Sequence, residues 1–367
     1  MAKKMYVGVN GVARKVKKMY IGVNGVARKV KKAYVGVAGI ARCFFSGGEL
    51  VYYGTAIDLS VARQDLAATS IGDYALFGGG RASSSYYATV DAYDTLLTKS
   101  LPSELSPPRR GVAATSNENY ALFGGGYNAN NVNKVNAYDE SLTISTPTAL
   151  SVARMDIAAT SVGDYALFGG GGTRANVDAY DASLTKRLAT NLSQARNNLA
   201  ATNIGSYALF GGGSYAGTKK DIVDAYDTSL TRSTPTALSV GRDDLAATSI
   251  GNYALFGGGY SSAYESTVDA YDTSLTRSIP TSLSVGRIIM AATSVGNYAI
   301  FGGGGGSSPA YCSTVDVYDE SLTRILPTEL SQARRYPVAT SIGNYALFGG
   351  GGAEGGASSV VDVYVAD

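Results

Sequence analysis

Three kinds of residue that could do chemistry recur along this chain of 367 residues. An arginine follows a leucine-serine segment at seven places, namely Arg63, Arg109, Arg154, Arg196, Arg242, Arg287 and Arg334. Seven equivalent arginines indicate a repeated structural role in hydrogen bonding or stacking. Aspartates such as Asp91 and Asp94 recur in the same way, and because a catalytic acid is not needed seven times, we interpret them as scaffold. Glycine triplets such as Gly78-Gly79-Gly80 cradle phosphates where they open a helix, but here each lies between two predicted strands.

Residue types that are missing narrow the chemistry further. The chain has no histidine, which is the usual general base of serine and cysteine hydrolases and the commonest zinc and copper ligand. Its two cysteines, Cys43 and Cys312, are far apart and match no disulfide or metal framework. We therefore expect no catalytic residues, no metal and no cofactor, in a protein that is not an enzyme.

The recurring residues belong to a long repeat that runs from residue 49 to the end of the chain. The string YALFGGG, or YAIFGGG, begins at Tyr74, Tyr120, Tyr165, Tyr207, Tyr253, Tyr298 and Tyr345, with spacings of 42 to 47 residues. A second marker, V-D/N-x-Y, begins at Val90, Val135, Val177, Val223, Val268, Val315 and Val361. A period of this length is typical of the blades of a β-propeller.

The intervals between the markers show where the repeat tolerates change. From the arginine to the next marker tyrosine there are 11 residues in all seven copies, and from the marker valine to the next arginine there are 19 in the six measurable copies. The interval from tyrosine to valine varies between 12 and 17 residues. Every insertion or deletion therefore falls between the glycine triplet and the valine.

Each unit contains four short segments that are typical of β-strands. LAATSIG is small and apolar, as a strand near a central axis must be, and YALFGG is apolar on both faces, which indicates a buried strand. TVDAYD alternates, and LTRSTPTAL is polar with a proline, which suits an exposed edge strand. Because four-stranded sheets repeated around an axis form a β-propeller, we predict an all-β protein with seven blades.

The repeat resembles the kelch repeat, in which an apolar strand ends in a glycine pair and a V-x-Y-D strand, a fourth strand and a turn to arginine follow. Kelch units usually carry a tryptophan on the fourth strand, where this chain has Leu97, Leu142, Leu184, Leu230, Leu275 and Leu322. Two related enzyme classes do not fit, because galactose-oxidase-like copper sites need histidine and sialidase-like propellers carry S-x-D-x-G-x-T-W boxes. The resemblance implies a kelch-like seven-bladed β-propeller without a particular kelch function.

The ends of the repeat predict how the ring closes. The chain stops at Asp367, just past the third strand of the last unit, so that this unit lacks a fourth strand of its own. Residues 51–60 match the missing strand and lead into Arg63. We therefore predict that an N-terminal strand completes the last blade, and that residues 49–367 form the propeller domain.

The first 48 residues differ from the propeller in charge. They contain eleven Lys and Arg and no acid, and since the chain holds 31 bases and 29 acids in all, residues 49–367 carry 20 bases against 29 acids. Such a split suggests two parts with different roles. No apolar run approaches the roughly 18 residues that a membrane span needs, and no signal-peptide core follows the lysines. We expect no membrane insertion, and synthesis in a host cytoplasm without a signal peptide.

Within this leader, residues 3–44 are three copies of a 14-residue unit: KKMYVGVNGVARKV, KKMYIGVNGVARKV and KKAYVGVAGIARCF. A turn dipeptide divides each copy into two β-rich runs, at Asn10-Gly11, Asn24-Gly25 and Ala38-Gly39. Asn-Gly is the strongest short hairpin signal, because both central residues of a type I′ turn need a positive φ. We predict three hairpins, with Val9 facing Val12 and Met5 facing Val16 in the first.

A hairpin of this size is marginal in water by itself, so the leader should become ordered by docking on a partner or on copies of itself. The unit YVGVNGVARKVKK is similar to repeated leaders on phage and prophage structural proteins of Gram-positive bacteria. The resemblance implies that residues 1–48 are a basic β-hairpin attachment module for phage or tail-particle structural proteins. Nucleic-acid binding through the lysines is the alternative, which we do not favour because the charges regularly decorate the hairpins.

The seven units also differ from one another, and the differences separate two faces of the predicted disc. The links between the first and second strands (TSIGNY) and between the third and fourth strands (YDTSLT) hardly change, and we call their side the constant face. The links between the second and third strands, and the two residues after each repeated arginine, lie on the other side, the variable face. Because two variable sites per blade meet there, we predict that this face binds a ligand. Drift of unconstrained loops is the alternative.

The candidate ligand-binding residues come from both variable sites. The pairs after the arginines supply Gln64, Asp65, Arg110, Met155, Asp156, Asn197, Asn198, Asp243, Asp244, Ile288, Ile289, Arg335 and Tyr336. The loops supply Tyr86, Tyr87, Tyr127, Arg174, Tyr215, Tyr260, Tyr264 and Tyr311. Tyrosine with Ser, Gly and Asn is the composition of binding loops, which combine rigid amphipathic rings with adaptable hydrogen bonding.

We therefore expect a non-enzymatic virion or phage-tail-like particle protein, located in an extracellular particle. It would dock through residues 1–48 and bind a host cell-surface ligand, a glycan before a protein, through the variable face. Weak contacts would gain from multivalency when many copies sit on one particle. Two alternatives stay open: an intracellular kelch-type scaffold for a protein partner, and a purely structural capsid or tail decoration.

Overall fold

The computed structural model describes residues 49–366 throughout and, in the leader, the backbone of six strands. These strands are Tyr6–Val9, Val12–Lys15, Met19–Val23, Val26–Val30, Ala33–Val37 and Ile40–Phe45. They pair antiparallel as three successive hairpins, with Val9 opposite Val12 as predicted. The predicted turn dipeptides and the pairing of Met5 with Val16 lie outside the described residues.

Residues 49–366 contain seven four-stranded antiparallel sheets, numbered here as blades 1 to 7 in chain order. The inner strands are Ala67–Ile71, Ala113–Ser116, Ala158–Val162, Ala200–Ile204, Ala246–Ile250, Ala291–Val295 and Val338–Ile342. The second strands are Tyr74–Gly78, Ala121–Gly124, Tyr165–Gly169, Tyr207–Gly211, Tyr253–Gly257, Tyr298–Gly302 and Tyr345–Gly349. The third strands are Val90–Asp94, Val135–Tyr138, Val177–Tyr180, Val223–Tyr226, Val268–Asp272, Val315–Asp319 and Val361–Val365. The outer strands of blades 1 to 6 are Lys99–Ser100, Ile144–Ser145, Lys186–Leu188, Arg232–Ser233, Arg277–Ser278 and Arg324–Ile325.

The inner strands stand side by side around a central axis. Each contacts the inner strand of the next blade, and the inner strand of blade 7 contacts that of blade 1. Their residues alternate between buried and half-buried, so that small side chains such as Ala68 and Ala159 line an axial channel of about 250 Å³. The predicted seven-bladed propeller, with its small apolar strand next to the axis, is confirmed.

The last blade is closed by the N-terminal strand, as predicted. Val51–Thr55 pairs antiparallel with Val361–Val365 and is the outer strand of blade 7. The Tyr52 hydroxyl donates a hydrogen bond to the Asp362 carboxylate at 2.7 Å, which ties the two ends of the propeller together through side chains as well. The first and last segments of the propeller therefore share one sheet.

The glycine triplet at the end of each second strand is required by one close contact and by two backbone angles. In blade 1, a Cβ atom on Gly78 would lie 2.7 Å from the Phe123 ring of the next blade. Gly79 and Gly80 have φ angles of +71° and +106°, in the left-handed region that favours glycine. The contact between glycine and the phenylalanine of the next blade recurs around the ring and ends with Gly349 against Phe77 of blade 1. The triplet therefore lets adjacent blades pack closely.

The third strands are buried on both faces. The alternation of residue types in TVDAYD therefore does not produce an alternation of buried and exposed side chains. In Val90–Asp94, the first four residues are all buried. The Tyr93 ring packs edge-on against Phe77 at 5.8 Å between centroids, and its hydroxyl donates to the Ile57 carbonyl at 2.7 Å. Asp91 is paired with an arginine. A polar side chain whose hydrogen bonds are satisfied inside the protein does not need to face water.

The leucines aligned with the kelch tryptophan do not lie on the outer strands, which corrects the prediction. They lie in the turns before those strands, with φ angles of 60° to 63°, at Leu97, Leu142, Leu184, Leu230, Leu275 and Leu322. Their side chains pack onto the core clusters of the blades. Burial of an apolar side chain therefore offsets an unfavourable backbone angle six times.

Candidate binding face

The seven repeated arginines lie buried beneath the variable face, where they hold the sheets together. The Arg63 guanidinium donates to the Asp91 carboxylate at 2.7 Å and to the Phe77 carbonyl at 3.0 Å. Both charged side chains are fully buried. Equivalent pairs with aspartate are made by Arg154, Arg196, Arg242, Arg287 and Arg334. The predicted structural role of these arginines and of the paired aspartates is confirmed.

Blade 2 departs from this pattern at two positions. Asn136 stands in place of the paired aspartate, and its Oδ1 atom accepts a hydrogen bond from Arg109 at 2.9 Å. In blade 1, Lys99 of the outer strand approaches the same carboxylate, Asp91, at 3.8 Å, and blade 2 has Ile144 in that position. Burial without a carboxylate lowers the pKa of Arg109 to about 10.

The two variable sites of most blades are joined through their main chains. The first residue after the arginine forms a β-bridge with a residue of the following loop in six blades: Gln64 with Arg81, Arg110 with Tyr127, Asn197 with Ser214, Asp243 with Tyr260, Ile288 with Gly305 and Arg335 with Gly352. Met155 of blade 3, where the loop is shortest, makes no such bridge. Because these contacts use backbone atoms, the side-chain types can differ from blade to blade.

The second residue after each arginine has a left-handed backbone in all seven copies. The φ angle lies between 48° and 60° at Asp65, Gly111, Asp156, Asn198, Asp244, Ile289 and Tyr336. The Ile289 N–H donates to the Asp244 carbonyl at 2.9 Å, and the Tyr336 N–H donates to the Ile289 carbonyl at 3.0 Å. Four of these residues line a cavity of about 200 Å³ next to the inner strands. We call the seven residues the mouth ring, because they surround the axial channel on the variable face.

Five members of the mouth ring suit a left-handed backbone, and two do not. Glycine, asparagine and aspartate adopt it readily, whereas other residues pay roughly 1–2 kcal/mol. Ile289 and Tyr336 are the two costly members. Leu230 on the constant face has a similar angle but is only 9% exposed, whereas Tyr336 is 39% exposed and, like Ile289, belongs to no core cluster of the described residues. The backbone strain at Tyr336 is therefore not offset by burial. Ile289 is half-buried, as are five of the six leucines, but unlike them it packs on no core cluster of the described residues.

The mouth ring is acidic. Burial, together with the neighbouring carboxylates of Asp243 and Asp156, raises the pKa of Asp244 to about 6. Burial also raises the pKa of Asp156, and the carboxylate of Asp65 adds to this effect. Across residues 49–366, no group of three or more His, Cys, Asp or Glu side chains is placed to hold a metal ion.

Cations stack on tyrosine rings at three places on the variable face. The pairs, with the distance from the cation to the ring centroid, are Arg110 over Tyr127 (5.1 Å), Lys219 over Tyr260 (5.4 Å) and Arg335 over Tyr311 (5.0 Å). The exposed aromatic side chains of the described propeller, Tyr215, Tyr264 and Tyr336, also belong to this face. Exposed aromatic rings beside cations are typical of surfaces that bind ligands.

The loop of blade 7 stands between two clefts. It forms a short hairpin, in which Gly352–Ala353 pairs with Gly356–Ala357. The cleft on the side of blade 1 has a volume of about 570 Å³ and is lined by Gln64, Arg81, Tyr311, Arg335, Tyr336 and the hairpin; we call it the blade 7–1 cleft. The cleft on the side of blade 6 has a volume of about 860 Å³ and is lined by Pro309, Ala310, Tyr311, Gln332 and the hairpin.

The structure distributes the predicted site residues over three places. Gln64, Tyr311, Arg335 and Tyr336 line the blade 7–1 cleft, while Asp65, Asp156, Asn198, Asp244 and Ile289 belong to the mouth ring. Half-buried along the loops between them lie Tyr86, Tyr87, Arg110, Tyr127, Met155, Asn197, Tyr260 and Ile288, and exposed on the loops lie Arg174, Tyr215 and Tyr264. Asp243 is only 3% exposed and pairs with Lys219, so its carboxylate is not free on the surface.

Several residues of this face were missed by reasoning from the sequence. Arg81, Lys219 and Glu354 all contribute charged groups to the face, and none was among the candidates. The short hairpins that carry them, such as Arg81–Ala82 with Ser85–Tyr86, were also not predicted. The signal was available for all three residues, because each lies in the variable interval between the glycine triplet and the valine.

No protein-family model matches the chain, and no curated protein matches it. Among solved structures, the chain is similar to the structure of YjhT, with a TM-score of 0.55 and 13% sequence identity. The match covers 83% of this chain and 95% of that chain. This likeness supports the propeller fold alone. Within the described part of the chain, no helix is long and apolar enough to cross a membrane.

Proposed function

We propose that the protein is a non-enzymatic component of a phage or phage-tail-like particle and binds a host-surface glycan through the variable face. One observation carries the binding role: Ile289 and Tyr336 keep a strained backbone angle without the packing on a core cluster that accompanies this angle on the constant face. Residues that break a local structural rule without a gain in stability are typical of functional sites. Binding would therefore centre on blades 6 and 7.

The attachment role is proposed for the leader. Its six strands pair as three consecutive hairpins, and its sequence is strongly basic, in contrast to the acidic propeller. A repeated hairpin leader similar to those of phage structural proteins would hold several copies on one particle. Weak single contacts to a cell surface would then combine into firm attachment. The kelch type of the propeller belongs to this proposal too, supported by the repeat of glycine pair, V-x-Y-D strand and arginine.

The binding role is tested with purified Gram-positive cell walls and the full chain. The triple variant Ile288→Ala, Ile289→Ala and Arg335→Ala is expected to lose most of its wall binding in a pull-down assay, because it removes the side chains at the proposed centre. Leu188→Ala, which shortens a side chain that is 66% exposed on the outer strand of blade 3, is the matched control and should bind like the wild type. Full binding by the triple variant would contradict the assigned face.

The attachment role needs a separate experiment. Deletion of residues 1–48 keeps the closing strand Val51–Thr55, so the propeller should fold and still bind walls as a single copy. The deleted protein should no longer co-purify with phage or tail-like particles. If it still associates with particles, the leader is not the attachment module. If the protein instead retains a cytosolic protein partner without the leader and binds no wall, the kelch-type scaffold replaces this proposal.

A further inference from the structure

The blade 7–1 cleft contains a cation, Arg335, that forms no ion pair with a carboxylate of the described residues. Three cations on the variable face stack on tyrosine rings, and two of them have a carboxylate of the protein nearby. Arg110 lies 3.8 Å from Asp65, and Lys219 pairs with Asp243. Arg335 has the same stacked arrangement on Tyr311, but no carboxylate of residues 49–366 pairs with it within 4.0 Å, although Glu354 of the hairpin lines the same cleft.

The position of Arg335 suits it for contact with a ligand. Its side chain is exposed and lines the cleft together with Arg81, Gln64 and Tyr336. A guanidinium stacked on a ring has its planar edge available, and that edge presents paired N–H groups with the geometry that carboxylates and phosphates accept. Arg81, whose Nε donates to Asp65 at 2.6 Å, adds a second guanidinium to the same wall.

The other walls of the cleft fit a sugar ring. Tyr336 is held by its strained backbone with 39% of its surface exposed, which offers a rigid apolar face. Gln64 offers both donor and acceptor atoms. The hairpin opposite is open at Gly355 and Gly356, where a Cβ atom would meet no atom within 4 Å. The cleft, at about 570 Å³, is large enough for a small-molecule-sized ligand.

From this arrangement we infer that the blade 7–1 cleft recognises a saccharide that carries an oxyanion, either a carboxylate or a phosphate, through Arg335. The inference rests on the proposed function and specifies the class of ligand for that face. The oxyanion would take the place that Asp65 and Asp243 fill beside the other two stacked cations. Arg335 is then the residue that makes the site selective for acidic over neutral sugars.

The experiment measures binding of the full-length protein to Gram-positive cell walls in three forms. One sample is untreated, one is treated with hydrofluoric acid to cleave phosphodiesters, and one has its carboxyl groups converted to neutral amides with carbodiimide and glycinamide. The variants are Arg335→Ala, Arg335→Lys and, as the matched control, Arg187→Ala, which removes an exposed arginine on the outer strand of blade 3, away from the variable face. Thermal unfolding of each variant checks that the fold is intact.

Arg335→Ala should weaken binding to untreated walls about 10- to 100-fold, the usual loss for a hydrogen-bonded charge pair, and Arg335→Lys should weaken it less. Arg187→Ala should bind like the wild type. Loss of wild-type binding after hydrofluoric acid identifies a phosphate, and loss after amidation identifies a carboxylate. If wild-type binding survives both treatments, or if Arg335→Ala binds at full strength, the inference that Arg335 recognises an oxyanion is wrong, while the proposed function is unaffected. Failure of the wild type to bind any untreated wall overturns both.

Discussion

The two faces of the disc are held together by different kinds of contact. On the constant face, Asp139 accepts hydrogen bonds from the main-chain N–H groups of Ser141 and Thr143, both at 2.9 Å. Turns of adjacent blades also contact each other through side chains, as where Asn119 Nδ2 donates to the Ala182 carbonyl at 3.1 Å. On the variable face, the bridges between neighbouring segments are made by the main chain. The constant face is therefore invariant for structural reasons, and the variable face is free to change its side chains without loss of these bonds.

The carboxylates of the two faces respond to pH in opposite directions. Hydrogen bonds from Ser141 and Thr143 lower the pKa of Asp139, and the same arrangement lowers the pKa of Asp227. On the variable face, burial raises the pKa of Asp244. A carboxylate whose pKa is lowered by folding stabilises the fold at pH values above its unfolded pKa, and this stabilisation is lost as the pH falls. A carboxylate whose pKa is raised by folding contributes stability at low pH, and this contribution is lost as the pH rises. At neutral pH the charged carboxylates of the constant face therefore stabilise the fold, whereas the charged carboxylate of Asp244 in the mouth ring destabilises it.

The largest expected effect on stability comes from the buried arginine–aspartate pairs beneath the variable face. Asp269→Ala leaves Arg242 buried without its carboxylate, which should lower the free energy of unfolding by about 3–5 kcal/mol. Denaturant unfolding monitored by tyrosine fluorescence measures this loss. Asp244→Asn removes a carboxylate two residues after the same arginine, on the surface side, keeps a residue type that suits the left-handed backbone, and should not destabilise the protein at neutral pH. If both variants lost the same free energy of unfolding, the buried ion pairs would not differ in structural importance from the residues on the variable face.

A smaller effect, and one that depends on pH, is expected at the mouth ring. Folded Asp244 has a pKa of about 6, above the value of about 4 in an unfolded chain, so the fold favours the protonated form. Its contribution to stability is full below about pH 4 and is lost as the pH rises through 6. Asp244→Asn should therefore unfold at a higher temperature than the wild type at pH 7.5, by about 2 kcal/mol of stability, and at a similar temperature at pH 4.

The control for this pH effect lies on the constant face. Asp227→Asn removes a carboxylate whose pKa is lowered by Ser229, so this variant should be less stable than the wild type at pH 7.5, and the difference should shrink on acidification. Thermal unfolding at pH 4 and pH 7.5 gives both results. If the two asparagine variants shift stability in the same direction, the carboxylates of the two faces do not have opposite effects on stability.

Blade 2 offers an effect of about 1–2 kcal/mol in the stabilising direction. Asn136→Asp returns the carboxylate that pairs with the repeated arginine in the other blades, and the pKa of Arg109, now lowered to about 10 by burial, should rise. Denaturant unfolding at pH 7 should show a gain that disappears at low pH, where the new carboxyl is protonated. The reciprocal change, Asp224→Asn in blade 4, should cost a similar amount. A loss on restoring the aspartate would show that blade 2 is adapted to the amide.

Much of this fold could be predicted because the repeat supplies seven parallel observations of one unit. The strand order, the closing role of Val51–Thr55 and the side of the disc on which each loop lies all follow from fixed and variable intervals. The partner of each buried arginine could not be predicted in the same way. Arg63 and Asp91 are invariant together in most units, and residues that never change show no pairing. Blade 2, where Asn136 and Ile144 change together, indicates instead the contact between the aspartate and the outer-strand cation, as between Asp91 and Lys99 in blade 1.

The candidate site was predicted in outline but not in detail. Alignment of the units identified the pair after each arginine. The second residue of the pair is aspartate, asparagine or glycine in five units, types that favour a left-handed backbone, but Ile289 and Tyr336 do not share this turn chemistry. The main chain of the ring sets that angle through bonds between blades, such as that from Ile289 to Asp244. For the same reason the cleft beside the hairpin at Gly352–Ala353 could not be predicted, since it depends on how three loops meet.

The smallest stability effect tests the main distinction between the two faces. Tyr336→Asn replaces a strained residue by one that accepts a left-handed backbone, so the protein should become more stable by about 0.5–1 kcal/mol and bind cell walls less well. Leu230→Gly relieves a similar angle on the constant face but also removes a buried side chain, so that variant should be less stable by about 1 kcal/mol. Denaturant unfolding and a wall pull-down assay on both variants measure the four values.

The two variants together separate a binding surface from a drifting one. Under drift, mutation and the threshold for stability alone decide the residue at each site, so Tyr336→Asn would gain stability and keep full wall binding. Under selection for binding, the gain in stability comes with a loss of binding, because the tyrosine ring is what the strained backbone presents. If Tyr336→Asn instead loses stability, the tyrosine is held by packing like Leu230, and the two faces then follow the same structural rule at their left-handed positions.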